Sequence, residues 1–404
     1  MRAPKILAVA STSDLAYPYG VTPAWWQLWK GMGEAGVDLI VTPYRGRAAQ
    51  SAWWRTAPNP LYREAEAFVA LRSLAARAKG DRYLRRAESH PEDTLGDKVL
   101  RRTIWSVVTP RWRRHLERIL EREGDVDAVV FFTVPMSHFA GIPTALRERF
   151  DLPVVFYDGD VPMSLPEFGG MDTGFNYYHD ADPSEYDFVV SNSEGGVVRL
   201  LELGARRAEA VHWAADPALF RPREVSKEVD VFFYGHSDKF RREWMNELVG
   251  EPSRRLPDVD FALGGFDYRA DTGSARMLGR IPFNAFSQGI SAARINLNIT
   301  RRPHASVYAS STCRLFELAS CGAAIVSNPH NGVERWLEPG AEIMIVSGAD
   351  EATAAYEQLL GDPAQAEAMG ARARERVLDE HTYAHRAQQL LRLLGLDVSA
   401  AVGA

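Results

Sequence analysis

The sequence predicts an α/β protein made of two Rossmann-like, doubly wound parallel-sheet domains that face each other across a cleft. Its 404 residues are too many for one ordinary core and suit two domains of roughly 200 residues each. Continuous apolar runs such as DAVVFFTVP recur between helix-like stretches, as expected of parallel strands buried on both faces. These runs form two series, separated by the proline-containing segment HWAADPALFRP.

The first series opens with KILAVA, which is followed by a loop and the helix-like stretch TPAWWQLWKGMGEAG. The runs VDLIVTP, DAVVFFTVP, PVVFYDGD and DFVVSNS then supply further strands. Ligands of doubly wound sheets bind beyond the carboxyl ends of the strands. We therefore expect the site-facing loops of this domain at residues 11–14, 133–138, 158–160 and 191–194.

Residues 63–123 interrupt this alternation and predict a helical insertion in the first domain. The stretch interleaves Trp105 and Trp112 with many arginines, namely Arg101, Arg102, Arg111, Arg113, Arg114 and Arg118. One interpretation is a solvated helix pair whose arginines neutralise nearby carboxylates. The other is a basic aromatic face that contacts anionic lipid headgroups or a phosphorylated acceptor.

The second series comprises the runs EVDVFFYG, DVDFALGG, ARINLNIT, AAIVSNP and EIMIVSG, and it closes with two long helical patterns over residues 352–394. We predict a first domain at 1–215, a hinge at 216–224 and a second domain at 225–375. The remaining residues, 376–404, are expected to form a helix that packs back toward the first domain and ends in a frayed tail.

Composition narrows the class of protein. A net charge of −6 argues against a nucleic-acid partner. No run approaches a membrane span or a signal peptide, so we expect a cytoplasmic protein, with peripheral contact at the inner face of the membrane as the alternative. The two cysteines, Cys313 and Cys321, suit a reducing compartment. His304 and His330 lack partners at metal-ligand spacing, so no metal site is predicted.

The block SSTCRLFELASCGAAIVSNPHNGVERWLEPGAE, residues 310–342, carries the clearest functional pattern. Small hydroxyl residues and free amides at the start of a helix can bind a diphosphate. Glu317, one to two turns later, can accept both hydroxyls of a ribose, although an ion pair with Arg314 at i−3 is the structural alternative. We interpret the block as a sugar-nucleotide site.

Several of these motifs resemble the two-domain GT-B glycosyltransferases, in particular the CgeB-like (spore maturation protein) members related to group 1, or family 4, transferases. The resembling segments are AADPALFRP at the hinge, YGHSDKFRR after a strand, the LNIT strand, and the pattern S-x-R-x-FE-x-x-x-CG. One residue departs from the pattern of many retaining relatives. Ala309 stands where they carry a glutamate, eight positions before Glu317.

The resemblance implies a donor site in the second domain, where Glu317 binds ribose and Ser311 and Thr312 lie near the pyrophosphate. The full set of expected donor residues is Gly235, Lys239, Arg241, Arg242, Ser311, Thr312, Arg314, Glu317, Asn331, Gly332 and Glu334. On the acceptor side, Asp158 is the candidate for positioning or deprotonating the acceptor. The expected acceptor contacts are Ser13, Asp14, His138 and Asp160.

The first domain is also rich in tryptophan before residue 113. These side chains either stack on acceptor sugars or fill the core. They are Trp25, Trp26, Trp29, Trp53, Trp54, Trp105 and Trp112.

The implied reaction moves a sugar from a UDP- or GDP-linked donor to a sugar, a lipid-linked or a small-molecule acceptor. We expect no required cofactor, because arginines, lysines and helix dipoles replace a divalent cation. The sequence Asp158-Gly159-Asp160 could mimic an Asp-x-Asp metal-binding motif, so dependence on Mg²⁺ is the alternative. The resemblance favours retention of configuration, with an inverting displacement through Asp158 as the alternative. A nucleotide-sugar epimerase of the same fold and a two-lobed small-molecule binding protein are the competing functions.

Overall fold

A computed structural model of the chain describes residues 2–14, 24–66, 102–168, 177–178, 180–237 and 239–396. Part of the predicted helical insertion, residues 67–101, lies outside the described residues. The same holds for the first loop beyond Asp14 and for the predicted frayed tail.

The first sheet has seven parallel strands in the order β3-β2-β1-β4-β5-β6-β7. They are β1 (Lys5–Thr12), β2 (Asp38–Arg45), β3 (Arg55–Thr56), β4 (Ala128–Phe132), β5 (Val154–Asp158), β6 (Phe188–Ser191) and β7 (Ala208–Ala210). Ile6 of β1 pairs with Leu39 of β2 on one side and with Ala128 of β4 on the other.

The second sheet has six parallel strands in the order β10-β9-β8-β11-β12-β13. They are β8 (Val229–Ser237), β9 (Phe261–Tyr268), β10 (Arg276–Gly279), β11 (Ala293–Asn298), β12 (Ala324–Ser327) and β13 (Met344–Ile345). The predicted fold class, two parallel α/β sheets, is confirmed.

Helices connect the strands in both domains. The α-helices of the described residues are α1 (Ala24–Glu34), α2 (Thr109–Glu123), α3 (Ile142–Phe150), α4 (Glu194–Glu202), α5 (Arg242–Met245), α6 (Glu251–Arg255), α7 (Phe286–Ser291), α8 (Arg302–Ser306), α9 (Cys313–Ser320), α10 (Ala349–Gly361), α11 (Pro363–Glu380) and α12 (Tyr383–Leu393). Short π-helical turns cover Ile104–Val108 and Asn246–Gly250. No helix of the described residues is long and apolar enough to cross a membrane.

Both faces of each sheet are buried, as the continuous apolar runs predicted. Successive side chains of a strand point to opposite faces. Ile6 and Ala8 of β1 therefore join one core, and Leu7 and Val9 join the other. The core that contains Ile6 continues without a break into the second domain, where it includes Phe316 of α9.

The end of the arginine-rich stretch is part of the first domain's helical layer. Helix α2 precedes β4 and buries Trp112 in the core of the first sheet. Its arginines meet carboxylates in three places, Arg113 with Glu117 at 3.0 Å, Arg122 with Glu123 at 3.0 Å and Arg111 with Glu64. These contacts match the interpretation of a solvated helix with neutralised charges; contact with a membrane stays a prediction.

Most of the tryptophans are core residues rather than surface platforms. Four of the seven are buried, namely Trp25, Trp29, Trp54 and Trp112. Trp26 and Trp53 are half-buried. Trp105 is 46% exposed, and its indole N–H donates to the carbonyl oxygen of Ser137 at 3.3 Å.

The last helix, α12, packs on α1 of the first domain. The contact is so close that a side chain at Gly31 would meet the carbonyl oxygen of Tyr383 at 2.8 Å. Arg386 of α12 is buried and donates to the carbonyl oxygen of His212 at 3.0 Å. Residues 376–393 thus tie the end of the chain to its first half.

The segment predicted as a hinge is attached to both domains. The amide of Asp216 donates to Gln27 of α1 at 3.0 Å, and its carboxylate lies 2.8 Å from the ammonium of Lys30. A few residues later, Ser320 of α9 donates to the carbonyl oxygen of Phe220 at 2.6 Å. The role of residues 216–224 as a hinge stays a prediction.

Candidate functional site

Loops at the carboxyl ends of strands from both sheets meet at the predicted sugar-nucleotide block. Ser193, after β6, forms an isolated antiparallel bridge with Ser310. The side-chain amide of Asn192 donates to the carbonyl oxygen of Ser311 at 3.0 Å. The structure therefore brings the predicted acceptor and donor loops together, with residues 310–312 at the boundary.

Ser311 is committed to this interdomain contact. Its side chain is completely buried, donates to the carbonyl oxygen of Asn192 at 2.7 Å and accepts from the amide of Trp213 at 2.8 Å. The hydroxyl group thus already has both a donor and an acceptor partner. A direct role of the Ser311 hydroxyl at the pyrophosphate stays a prediction, and its observed contacts hold the loop in place.

Thr312 occupies the N-cap position of α9 but caps nothing. Its backbone is extended, and among the described residues its hydroxyl group is buried without a hydrogen-bond partner. An N-cap threonine normally accepts a hydrogen bond from the first turn. Buried hydroxyl groups rarely stay unpaired. This hydroxyl therefore has unused hydrogen-bonding capacity at the start of the helix, where the helix dipole favours an anion.

Arg314 is the second residue of α9 and faces the end of β8. Its guanidinium donates to the carbonyl oxygen of Tyr234 and lies 5.1 Å from the ring centroid of Phe286 and 5.4 Å from that of Tyr234. Its Nε atom is buried without a hydrogen bond within the described part of the chain. Burial lowers the pKa of Arg314, but an arginine remains charged in proteins. The aromatic rings therefore hold a fixed cation beside the carboxyl end of β8.

Glu317 is a buried carboxylate with hydrogen-bonding capacity to spare. Its side chain is only 3% exposed, and the nearest cation is Nε of Arg314 at 3.8 Å. Burial raises the pKa of Glu317, and the attraction of Arg314 offsets part of that effect. The i−3 ion pair is therefore present. None of the described residues donates a hydrogen bond to this carboxylate, so it can still accept hydroxyl groups.

The basic residues after Gly235 differ in their surroundings. Nε of Arg241 donates to the carbonyl oxygen of Ile299 at 2.9 Å, which joins the loops after β8 and β11. Lys239 and Arg242 are exposed. Gly235 itself faces Gly265 of β9 so closely that a side chain at Gly265 would lie 1.7 Å from the Gly235 carbonyl oxygen. Gly235, Arg241, Arg314 and Glu317 thus share one end of the second sheet.

The second donor-side loop, residues 331–334, packs against Ala309, just before the loop at residues 310–312. The amide of Ala309 donates to the carbonyl oxygen of Asn331 at 2.9 Å. Gly332 has φ +84°, and a side chain there would lie 2.4 Å from the amide nitrogen of Ala309. Glu334 is exposed. Ala309, the residue that departs from the family pattern, is buried with φ +47°.

Asp158, the predicted catalytic residue, is enclosed by the first domain. It is 1% exposed and accepts three hydrogen bonds: from the amide of Asp160 at 3.0 Å and from the hydroxyls of Ser164 and Tyr178 at 2.6 Å each. Burial raises the pKa of Asp158, and these hydrogen bonds oppose that shift. The contacts are those of a carboxylate that organises a loop. Its catalytic role stays a prediction.

Other predicted acceptor residues also serve the fold of their loops. Ser13 is buried, donates to the carbonyl oxygen of Arg47 and accepts from the amide of Ala49 at 3.1 Å. His138 is buried against the hydroxyl of Tyr44, and burial lowers the pKa of His138 to about 4. Asp14 and Asp160 are only half-buried. These two carboxylates are therefore the more accessible of the predicted acceptor residues.

Some residues of this region were missed by sequence reasoning. Tyr234 and Phe286 flank Arg314, and Asn192 joins the two domains. Tyr234 and Asn192 could have been suspected, because they lie at the carboxyl ends of predicted strands. Phe286 is 28 positions before Arg314, and nothing local connects the two. No group of three or more metal-binding side chains is present in the parts of the chain that the structure describes.

Comparison with known proteins identifies the architecture. Residues 241–392, from α5 to α12, match the family model described as "Glycosyl transferase-like". A sucrose-phosphate synthase from Thermosynechococcus elongatus superimposes with a TM-score of 0.65 at 14% identity, covering 96% of this chain and 98% of that chain. The fold is GT-B. The family match over residues 241–392 indicates a glycosyltransferase.

Two further GT-B structures contain nucleotide ligands. Anabaena HepE in complex with UDP and glucose has a TM-score of 0.61 at 12% identity, covering 97% of this chain and 99% of that chain. An E. coli trehalose-6-phosphate protein bound with UDP-2-fluoro glucose has a TM-score of 0.62 at 11% identity, covering 96% and 98%. A search among curated proteins found no match. The CgeB-like subtype stays a prediction.

Proposed function

We propose that this GT-B protein transfers a sugar from a UDP-linked donor to an acceptor hydroxyl group bound at the cleft. The observation that carries the proposal is the buried Glu317 carboxylate, which has spare hydrogen-bonding capacity beside the unpaired hydroxyl of Thr312. Both residues lie within the glycosyltransferase-like segment. UDP is favoured over GDP because two of the structural neighbours above were solved with UDP or a UDP-sugar.

In this proposal each part of α9 has its own task. The N-terminus of α9 and the hydroxyl of Thr312 bind the diphosphate. The guanidinium of Arg314 neutralises negative charge that grows on the departing diphosphate. Glu317 accepts the ribose hydroxyls, as the family resemblance implies. The residues of the first domain between 11 and 160 hold the acceptor on the opposite side of the cleft.

Calorimetric titration with UDP and with 2′-deoxy-UDP tests the role of Glu317. The wild type is expected to prefer UDP by about tenfold, because a ribose hydroxyl that binds a carboxylate contributes on the order of 1 to 3 kcal/mol. Glu317→Ala should weaken UDP binding and bind the two nucleotides equally. A variant that keeps the preference for UDP would contradict the assignment of Glu317.

Glu342 offers a matched control in the same domain. It is also a buried glutamate, but its carboxylate accepts from the amide of Glu338 at 2.7 Å and faces Arg376 at 3.3 Å. Glu342→Gln is expected to leave the preference for UDP unchanged. Titrations with and without Mg²⁺ test the proposed independence from metal. The anomeric configuration of the product, read by NMR, tests the retaining course that the resemblance implies.

A further inference from the structure

Asn192, directly after β6, joins two loops that belong to different domains. Its side chain is completely buried. The Oδ1 atom accepts a hydrogen bond from the amide of Val161 at 2.9 Å, on the loop that follows β5. The Nδ2 atom donates to the carbonyl oxygen of Ser311 at 3.0 Å, next to Thr312 at the start of α9. One side chain therefore connects the loop after β5 with the residues that precede the proposed donor helix.

The orientation of the Asn192 amide is determined, because both of its partners are backbone groups. A backbone N–H can only donate a hydrogen bond, and a carbonyl oxygen can only accept one. The side-chain oxygen must therefore face Val161, and the NH₂ group must face Ser311. A leucine would make neither hydrogen bond, and an ionised aspartate would lack the donor. This position thus requires a side chain that donates and accepts at once.

Hydrogen bonds of neighbouring groups reinforce the same junction. The carbonyl oxygen of Asn192 accepts from the amide of Ser311 at 3.1 Å and from its hydroxyl at 2.7 Å. The hydroxyl of Ser310 donates to the carbonyl oxygen of Val161 at 2.8 Å. Ser310 and Ser311 are both completely buried. An unpaired buried polar group is costly, so the residues before Thr312 cannot shift freely relative to the loop after β5.

We propose that Asn192 is a positioning residue for donor binding. Thr312 follows Ser311 directly and is the N-cap residue of α9. By fixing Ser311, Asn192 holds the hydroxyl of Thr312 and the amides of the first turn where the donor diphosphate binds. A preorganised site loses less conformational entropy on binding, which raises its affinity. This inference rests on the proposed function, because that proposal assigns the diphosphate to the start of α9.

The test compares the binding of UDP, by calorimetry, with the binding of uridine, by ligand-observed NMR. Uridine has no phosphate group, so it reports only contacts to the base and the ribose. Asn192→Ala is expected to bind UDP about tenfold more weakly and to bind uridine as the wild type does, because only the phosphate contacts lose their preorganisation. A merely structural role would weaken both ligands equally or neither. Either of those results in a variant that is folded, as verified by thermal melting, would overturn the inference.

Ser310→Ala is the second variant, and it decides the question if Asn192→Ala does not fold. It removes one hydrogen bond between the same two loops and keeps the contact between Asn192 and Ser311. UDP affinity is expected to fall about threefold, again without a change for uridine. Unchanged affinity for UDP in this variant would contradict the inference.

Asn59 provides the matched control. It is also a buried asparagine between two backbone groups, since it accepts from the amide of Leu61 at 2.9 Å and donates to the carbonyl oxygen of Tyr44 at 3.0 Å. Both partners belong to the first domain, so Asn59→Ala should leave the affinities for UDP and uridine unchanged. An equal loss of UDP affinity in this control would overturn the inference alone. Absence of UDP binding to the wild type would overturn the proposed function, and the inference with it.

Discussion

Asp158 and Ser13 in the first domain differ from Thr312, Arg314 and Glu317 in the second domain in how completely their polar atoms are hydrogen-bonded. In the first domain Asp158 and Ser13 are buried and hydrogen-bonded within their own loops. In the second domain Thr312, Arg314 and Glu317 keep polar atoms without such partners among the described residues. Unpaired buried polar groups cost free energy, so a fold keeps them where a ligand completes them. The difference agrees with the proposal that the donor binds to the second domain.

We expect the largest loss of stability when Asp158 is replaced. Asp158→Ala removes the acceptor for two hydroxyls and one amide in a place without water access. We expect a loss of about 3 to 5 kcal/mol in the free energy of unfolding, measured with urea. The exposed Asp182, which accepts one hydrogen bond from the amide of Ser184, is the control and should lose about 1 kcal/mol on the same change. Equal losses would refute the role of Asp158 in organising its loop.

Low pH is expected to have the next largest effect on the free energy of unfolding, in both domains. Burial lowers the pKa of His138 in the first domain and of His330 in the second to about 4. The unfolded chain binds these protons near pH 6.5, so stability is fully present above that pH and is lost as pH falls toward 4. Each histidine should cost about 2 kcal/mol between pH 7 and pH 5.

Replacement by glutamine, in His138→Gln or His330→Gln, should flatten the pH dependence of urea unfolding by that amount. The control is Arg113→Gln on the exposed side of α2, which should leave the slope unchanged because an arginine stays charged throughout this pH range. A slope that neither histidine variant alters would show that acid acts elsewhere.

A smaller effect tests the rigidity of the donor-side loops. Gly332 and Gly340 both have φ +84°, but only Gly332 has backbone atoms where a side chain would lie. Each change to alanine should lower the free energy of unfolding by about 1 kcal/mol, because alanine disfavours the left-handed conformation. Gly332→Ala should lose about 1 to 2 kcal/mol more, because it displaces Ala309. Thermal unfolding of the two variants gives this difference, and equal losses would mean that the loop yields easily.

Thr312 gives the most direct test of the comparison between the two domains, although the expected change in stability is the smallest. Thr312→Val removes the unpaired hydroxyl at the start of α9. Stability should stay within about 0.5 kcal/mol of the wild type or rise, because no hydrogen bond is lost. Affinity for UDP should fall about fivefold if the hydroxyl binds phosphate, a loss of about 1 kcal/mol. A destabilised variant with unchanged affinity for UDP would contradict phosphate binding by Thr312. It would show instead that Thr312 stabilises its loop, as Asp158 and Ser13 do in the first domain.

Much of the fold could be predicted because its signals are local. A run such as AVVFF in β4 is apolar on both faces, and only a strand covered on two sides needs that pattern. The donor block was recognisable for a similar reason, since Thr312, Arg314 and Glu317 lie within six consecutive positions of one helix start. The GT-B comparison confirms the fold that these patterns predicted.

The sequence by itself thus determined the two sheets and the helix that is proposed to bind the donor. Tertiary structure decided which polar groups remain open. Asp158 and Asp160 are two residues apart and equivalent in the sequence, yet one is enclosed by Ser164 and Tyr178 and the other faces His304, 144 positions later. Burial and hydrogen-bond partners arise from packing between distant segments, and no spacing within one segment encodes them.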